Sequence, residues 1–563
     1  VASSGRFVVW SRRMNAASLT AHARPARASL ASVAVAALLA AAGGAAADPT
    51  NYQRYVIGER ALGMGGAQTA AVNDPMATLY NPAGMVFATS SMVSASKSVY
   101  SLDFRRVEGG FVPSQGEVDG AGGIDSRTLE QKNDLSLPST LAIVRQFGRR
   151  LGGKGGPRMH AFGFAILVPY EDTFSLKAKW TSDAQQALRD EETYRLTESY
   201  RQVWTGASYA FRPSEELGIG LSVFLTNHEF SRRLSQTRFG DIAQSECQVD
   251  DCGFVQFWDS DLSIDVVSLL FRLGAIWQPH ESWRFGLLVS APTIRLEDLV
   301  LWKTEGKLDQ TFGLASVDGS ADDRVEYYTD DYNLKVASYE PLALRAGAAF
   351  LWSDQLAIDI DVSLHLPISY HRIRNDPVLA RRCPAGVEQC DTEVDEQASP
   401  YWFDPGVVRE IERRAVVNAN AGWELVIDET WTLRNGLFTD FSAAPHVVAG
   451  SEPQLPRVNR YGATLSVGWQ NKGYDIAVGV MGAFGRGYAS VYNPHAAPEV
   501  WQPAEMEERA LYVFISGIQK AVSRGAKKIV KKAKEAELFD GDGDEGEADG
   551  EDAPGDEEER EAE

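Results

Sequence analysis

The sequence predicts an all-β fold: a transmembrane antiparallel β-barrel of about 14 strands with an N-terminal segment lodged in its lumen. Three observations predict it. Apolar and polar residues alternate with a period of two in many segments, and the connections between those segments alternate between short and long. One Gly- and Ala-rich stretch, residues 48–90, has no sustained period and cannot build a core of its own.

The alternation is clearest at 356–366. Leu356, Ile358, Ile360, Val362, Leu364 and Leu366 fall on one face, and Ala357, Asp359, Asp361, Ser363 and His365 on the other. The same pattern recurs at 217–226, 417–425 and 461–470. Strands are expected near 91–106, 135–148, 160–172, 195–211, 217–231, 261–278, 283–303, 333–352, 356–373, 413–427, 431–443, 459–470, 474–490 and 508–521. Short polar turns at 212–216, 279–282, 353–355, 428–430 and 471–473 alternate with long connections such as 232–260, 304–332 and 374–412. A soluble sandwich also alternates, but an even strand count with short turns at one end and long loops at the other is the outer-membrane pattern. Trp277, Trp283, Trp352, Trp423, Trp431 and Trp469 stand at strand ends, where an interfacial girdle belongs.

Four regions follow: 1–47, 48–90, 91–522 and 523–563. The first reads as a signal peptide, with arginines before an apolar Ala-rich run and Ala45-Ala46-Ala47 before Asp48, and Met14 is a candidate start. The second is the hatch and the third the barrel. The fourth is a basic run, then an acidic tail of low complexity, read as disordered and periplasmic. Formal net charge is −22, and residues 535–563 carry most of it, so nucleic acid is excluded as a partner. Cys247 and Cys252 lie close together in one long connection, and Cys383 and Cys390 in another. Two local disulfides on the outer face are expected, Cys247 with Cys252 and Cys383 with Cys390, with a single four-thiolate zinc site as the rival reading.

Eight strands can be filled by side chains and sixteen leave a channel, so fourteen need something in the lumen, and residues 48–90 are the segment available. Asp265, Asp359, Asp361, Asp440, Arg284, Arg345 and Arg434 fall opposite the greasy faces of their strands. They are expected to pair inside the barrel with one another or with Glu59, Arg60 and Asp74. Arg345 and Arg434 are also weak candidates for gripping a substrate carboxylate through a forked hydrogen bond. Gly63-x-Gly65 lacks the third glycine and the preceding strand of a dinucleotide loop. No nucleophile–base pair or metal spacing is found, so neither an enzyme nor a cofactor is expected.

Ala-Leu-Gly-Met-Gly-Gly-Ala at 61–67, then Asn73-Asp74-Pro75, then Leu79-Tyr80-Asn81-Pro82-Ala83-Gly84, resembles the N-terminal segment of FadL/TodX-type transporters. These carry long-chain fatty acids and other hydrophobic compounds across the bacterial outer membrane. Leu433 to Asp440, Pro456 and Asn459-Arg460-Tyr461 are similar to late strands of the same family. The resemblance implies a hatch displaced by substrate, carried by Gly58, Gly63, Gly65, Gly66, Asn73, Asp74, Pro75, Asn81, Pro82, Ala83 and Gly84. It also implies that partners are a hydrophobic small molecule and outer-membrane lipid, and that transport is by passive diffusion. The charged extension departs from the family pattern, and it keeps a second reading open: a barrel adapter for a secreted or periplasmic partner.

Overall fold

The computed structural model describes residues 50–53, 55–111, 127–134, 140–151, 156–181, 190–241, 253–297, 303–317, 324–353, 355–375, 380–382, 407–471, 473–493, 496 and 498–520. The proposed signal peptide and the charged tail lie outside these residues. So do Cys247, Cys252, Cys383 and Cys390, and with them both expected disulfides: no disulfide is found among the described residues, and the pairing of Cys247 with Cys252 and of Cys383 with Cys390 stays a sequence expectation.

The strands are β1 (Met92–Phe111), β2 (Arg127–Asp134 and Thr140–Arg150), β3 (Arg158–Thr181), β4 (Asp190–Phe211), β5 (Leu217–Asp241), β6 (Gly253–His280) and β7 (Trp283–Ser290, Ile294–Leu296 and Glu305–Val317). They continue with β8 (Arg324–Leu334 and Ala343–Trp352), β9 (Leu356–His365 and Ala380–Arg382), β10 (Val416–Val426), β11 (Trp431–Asp440), β12 (Arg457–Gln470), β13 (Tyr474–Tyr492) and β14 (Trp501–Lys520). Each pairs antiparallel with its neighbours in the chain, and β1 pairs with β14 from Met92↔Lys520 to Val107↔Met506, which closes the sheet. Closure leaves no free edge, the condition for a sheet in lipid.

The wall separates two solvents by residue parity. On β9, Ile358, Ile360 and Val362 are exposed on the outside while Asp359 and Asp361 are fully buried inside. Trp277, Trp283, Trp352, Trp431 and Trp469 are all exposed at the short-turn end. An even-stranded closed barrel with a polar lumen, an apolar outer band and an aromatic girdle is a bacterial outer-membrane barrel, its short turns facing the periplasm.

All fourteen expected strands are present, but several run much further beyond the membrane than expected. Most of 232–260 and 304–332, read as loops, are the outer ends of β5, β6, β7 and β8. Outside the lipid neither face of a strand must be greasy, so the period-two signal fades while the ladder continues.

Asp265 is a correction. It stands on the outward face, directly opposite Glu229 and Glu305, while its neighbours Ile264 and Val266 point inward and are buried. The lumen at that height is itself apolar, lined by Phe230, Leu262, Leu308 and Leu334, so the rule that greasy means outward inverts there.

Strands β8, β9 and β10 leave the wall at one common height. Residues 335–342, 366–374 and 407–415 turn into the lumen, where Ile368–His371 pairs with Glu410–Arg413 in a separate two-stranded ribbon. The bridge Val336↔Ile373 ties the first of these segments to it.

Candidate functional site

Residues 50–88 lie within the barrel, toward the short-turn end, and almost every one of them is buried. They contain two short helices, α1 (Glu59–Gly63) and α2 (Ala77–Tyr80), and a 3-10 turn at Pro82–Phe87. Such short helices are not stable alone, so the segment keeps its shape by bonding to the wall.

The motif residues have separate jobs. Asn81 precedes the 3-10 turn: its Oδ1 accepts from Ala83 N at 3.2 Å, and Pro82 occupies the first position, where a missing N–H costs nothing. Its Nδ2 donates to Thr69 O at 2.9 Å within the segment and to Ala275 O of β6 at 3.1 Å. Asp74 accepts from Met76 N at 2.7 Å, Pro75 O accepts from Thr78 Oγ1 at 3.0 Å, and Asn73 accepts from Arg60 at 3.1 Å. Gly65 and Gly66 have φ of 63° and 81°, which turn the chain after α1. Gly84 is not in the left-handed region; it provides room, because a Cβ there would lie 2.5 Å from Val72 O.

Wall glycines make a second, larger contribution. Inward Gly163, Gly218, Gly220, Gly274, Gly286, Gly347, Gly422 and Gly436, from seven strands, all face hatch atoms. A Cβ on Gly436 would meet Met64 C at 2.1 Å, and one on Gly286 would meet Thr69 O at the same distance. The hatch backbone therefore rests directly on the wall backbone. Sequence reading missed this ring, although its signal was present: glycine recurring at inward positions of otherwise regular strands marks close approach of another backbone.

Charge completes the docking. Asp361 accepts from Gln68 N at 2.8 Å and Thr69 N at 3.0 Å, and Asp359 accepts from Ala71 N at 2.9 Å. Arg345 pairs with Asp361 at 3.0 Å and donates to Gly66 O. Arg434 joins Glu59 of α1 to Glu424 of β10, and Arg60 reaches the same Glu424 at 3.0 Å. Asp440 accepts from Gln53 N at 3.0 Å. Arg284 and Arg212 flank the Phe87 ring, their guanidinium carbons 4.8 and 4.2 Å from its centroid.

Carboxylates outnumber guanidiniums around α1. Glu59, Glu424, Asp74 and Asp475 share Arg60 and Arg434, and Glu59 is completely buried. Burial first, then the neighbouring acids, push its carboxyl up to about 7 against the pull of Arg434, and burial raises Asp74 as well.

Two cavities lie beside the hatch. The outer one, about 300 Å³, is lined by Val107, Phe174, Leu196, Phe230, Val458 and Met506 with a minority of charged side chains. The inner one, about 150 Å³, lies between hatch and wall and is lined by Ile57, Leu79, Trp204, Leu270, Leu288 and Arg272. Asn51 and Tyr170 line both. Arg345 borders the inner cavity, whereas Arg434 lines neither and is committed to Glu59 and Glu424. Arg272, which sequence reading did not single out, donates from Nε to Ser290 Oγ at 2.9 Å. No hydrogen bond from its terminal nitrogens is found among the described residues.

Among solved structures the chain is similar to a Pseudomonas aeruginosa FadL homologue, with 14% identity, 84% of this chain and 99% of that one covered, and a TM-score of 0.49. It is also similar to the Pseudomonas putida toluene transporter TodX, at 11% identity, 83% and 99% coverage and a TM-score of 0.45. A third likeness is the CymD monoaromatic hydrocarbon channel, at 13% identity, 83% and 98% coverage and a TM-score of 0.42. No protein-family profile matches the sequence, and no curated protein does.

Proposed function

We propose that this barrel carries hydrophobic small molecules across the outer membrane by binding and passive diffusion, with long-chain fatty acids as the substrate class and residues 50–88 as the hatch. The observation that carries the reading is the outer cavity. The lumen holds a largely apolar pocket of about 300 Å³ with charged side chains among its lining, within the usual range for small-molecule sites. It adjoins the inner cavity at Asn51 and Tyr170, so the two stand in series between the outside and the hatch.

Arg272 supports an acid as ligand over a neutral hydrocarbon. Its guanidinium borders the inner cavity beside Trp204, 5.9 Å from that ring, with Nε fixed by Ser290. A carboxylate there would complete a fork with the terminal nitrogens. Arg345, held by Asp361 and Gly66, adds positive charge on the same side.

The test is binding of oleate and of toluene to the purified barrel, with uptake of labelled oleate by cells that express it. Arg272→Ala is expected to weaken oleate by about 10- to 100-fold, the worth of a charge-assisted hydrogen bond, and to leave toluene unchanged. If neither compound binds while the barrel inserts normally, the transport reading fails and the adapter reading gains.

A further inference from the structure

We infer that the lumen carries a second gate, made of the wall segments 335–342, 366–374 and 407–415, which separates the outer cavity from the inner one independently of the N-terminal hatch. It rests on the reading that ligands pass through the lumen.

The geometry is a chord across the barrel. Ser338 Oγ lies 3.1 Å from His228 Nδ1, and the Arg372 guanidinium carbon is 4.8 Å from the Phe230 ring. His228 and Phe230 sit on the inner face of β5, whereas Ser338 and Arg372 belong to β8 and β9. Strands β6 and β7 stand between them in the wall, so these contacts exist only because the segments have left it. Val336, Ala337, Ile373 and Ile411 are almost fully buried in the interior this creates.

The segments are held to one another, with Glu340 also bonded to Thr293 beside β7. They pair with one another in their own ribbon and are not part of the main ladder. The ladder stops at Ala343↔His365 on β8 and β9, and Pro341 and Pro367 follow within two residues on either side. Proline has no N–H with which to continue a ladder, so each is a place where a strand leaves the sheet. Arg372 and Val407 face the outer cavity, and Glu340 and Pro341 face the inner one.

The gate also touches the hatch. Tyr52 stacks on His365 with centroids 4.0 Å apart and an interplanar angle of 4°. Arg414 N donates to Ala443 O, and Ala443 N to Thr50 O, so the backbone links one obstruction to the other.

Single-channel recording in KCl tests this. A chain lacking residues 50–88 is expected to conduct little more than the intact protein. Shortening 368–371 and 410–413 as well is expected to raise the open level about tenfold, toward that of an unplugged wide barrel. If hatch deletion alone already gives the full open level, the second gate is refuted. Should the deleted chain fail to insert, the intact chain carrying His228→Cys and Ser338→Cys takes its place. Oxidation should cut oleate uptake about fivefold, and dithiothreitol should restore it, as for a locked lid. Unchanged uptake through a cross-linked barrel overturns the inference. A barrel that takes up no oleate in either state fails the transport reading, and the conductance steps then decide the gate alone.

Discussion

At the scale of single residues, one buried acid among the groups that dock the hatch is expected to make that docking sensitive to pH. Glu59 has an ordinary carboxyl value of 4.5 and is raised to about 7 when docked, facing Arg434, Glu424, Asp475 and Asp74. The docked form therefore holds a proton that the released form gives up. As pH climbs from about 5 to 7 release becomes favoured, and below about 4.5 the effect is saturated. Asp74 acts in the same direction. Protease cutting within residues 50–88 of the purified barrel should accordingly rise severalfold between pH 5 and pH 8. Glu59→Gln, which cannot lose a proton, should flatten that profile, and an equally steep profile in the variant would assign the effect elsewhere.

How much of this was legible varied from residue to residue. The inward placement of Asp359, Asp361, Asp440, Arg284, Arg345 and Arg434 followed from parity alone, because beside lipid the greasy face has only one possible direction. Asp265 did not follow, because it lies where the lumen is greasy too. Arg272 was invisible for a different reason. Its parity is that of a lumen residue, but nothing in a one-dimensional pattern says which lumen arginine keeps its terminal nitrogens on a cavity.

At the scale of elements, the hatch and the wall fit by omission of side chains. Asp359 and Asp361 supply acceptors for three hatch amides, and the ring of glycines supplies the approach. The two contributions can be separated. Gly436→Val places methyls where Met64 and Gly65 backbone already is, so it should release the hatch while leaving the strands paired. Asp361→Asn keeps the size but weakens the acceptor and removes the charge that pairs with Arg345, so its effect should be the smaller of the two, about 1.5–3 kcal/mol of hatch docking. Hydrogen exchange at Gln68, Thr69 and Ala71 reads both; slower loss from Gly436→Val than from Asp361→Asn would show that charge, not space, holds the hatch. The existence of the strands was readable because each presents one face to lipid. The inward detours of β8, β9 and β10 were not: 333–352 and 356–373 each read as one unbroken strand, with neither Pro341 nor Pro367 read as the point of departure that a missing N–H makes it.

At the scale of the whole molecule, the bonds that close the wall and the bonds that seat residues 50–53 and 55–88 are different sets. The closed ladder, including the β1–β14 seam, involves no hatch residue. Variants that release the hatch should therefore keep the compact, heat-dependent migration of the barrel on unboiled gels. Loss of that shift in Gly436→Val would mean that the filling holds the wall together. The outer ends of β3 to β8 continue as paired strands well past the lipid, and Ala380–Arg382 of β9 stays paired with β8, whereas among the described residues β10 and β11 carry no such extension.

The glycine ring also bears on how the molecule is built. The hatch meets bare glycines on seven strands, and backbone meets backbone on five of them, a fit closer than side chains would allow. The hatch leads directly into β1, its partners are spread from β3 to β14, and β14, the strand that must join β1, is the last of the fourteen to be made. The final seam therefore closes around a filling already in its seat. Assembly of this barrel is then expected to be the curling of a sheet about its own first residues, and protease protection of residues 50–88 before the β1–β14 seam forms would check it.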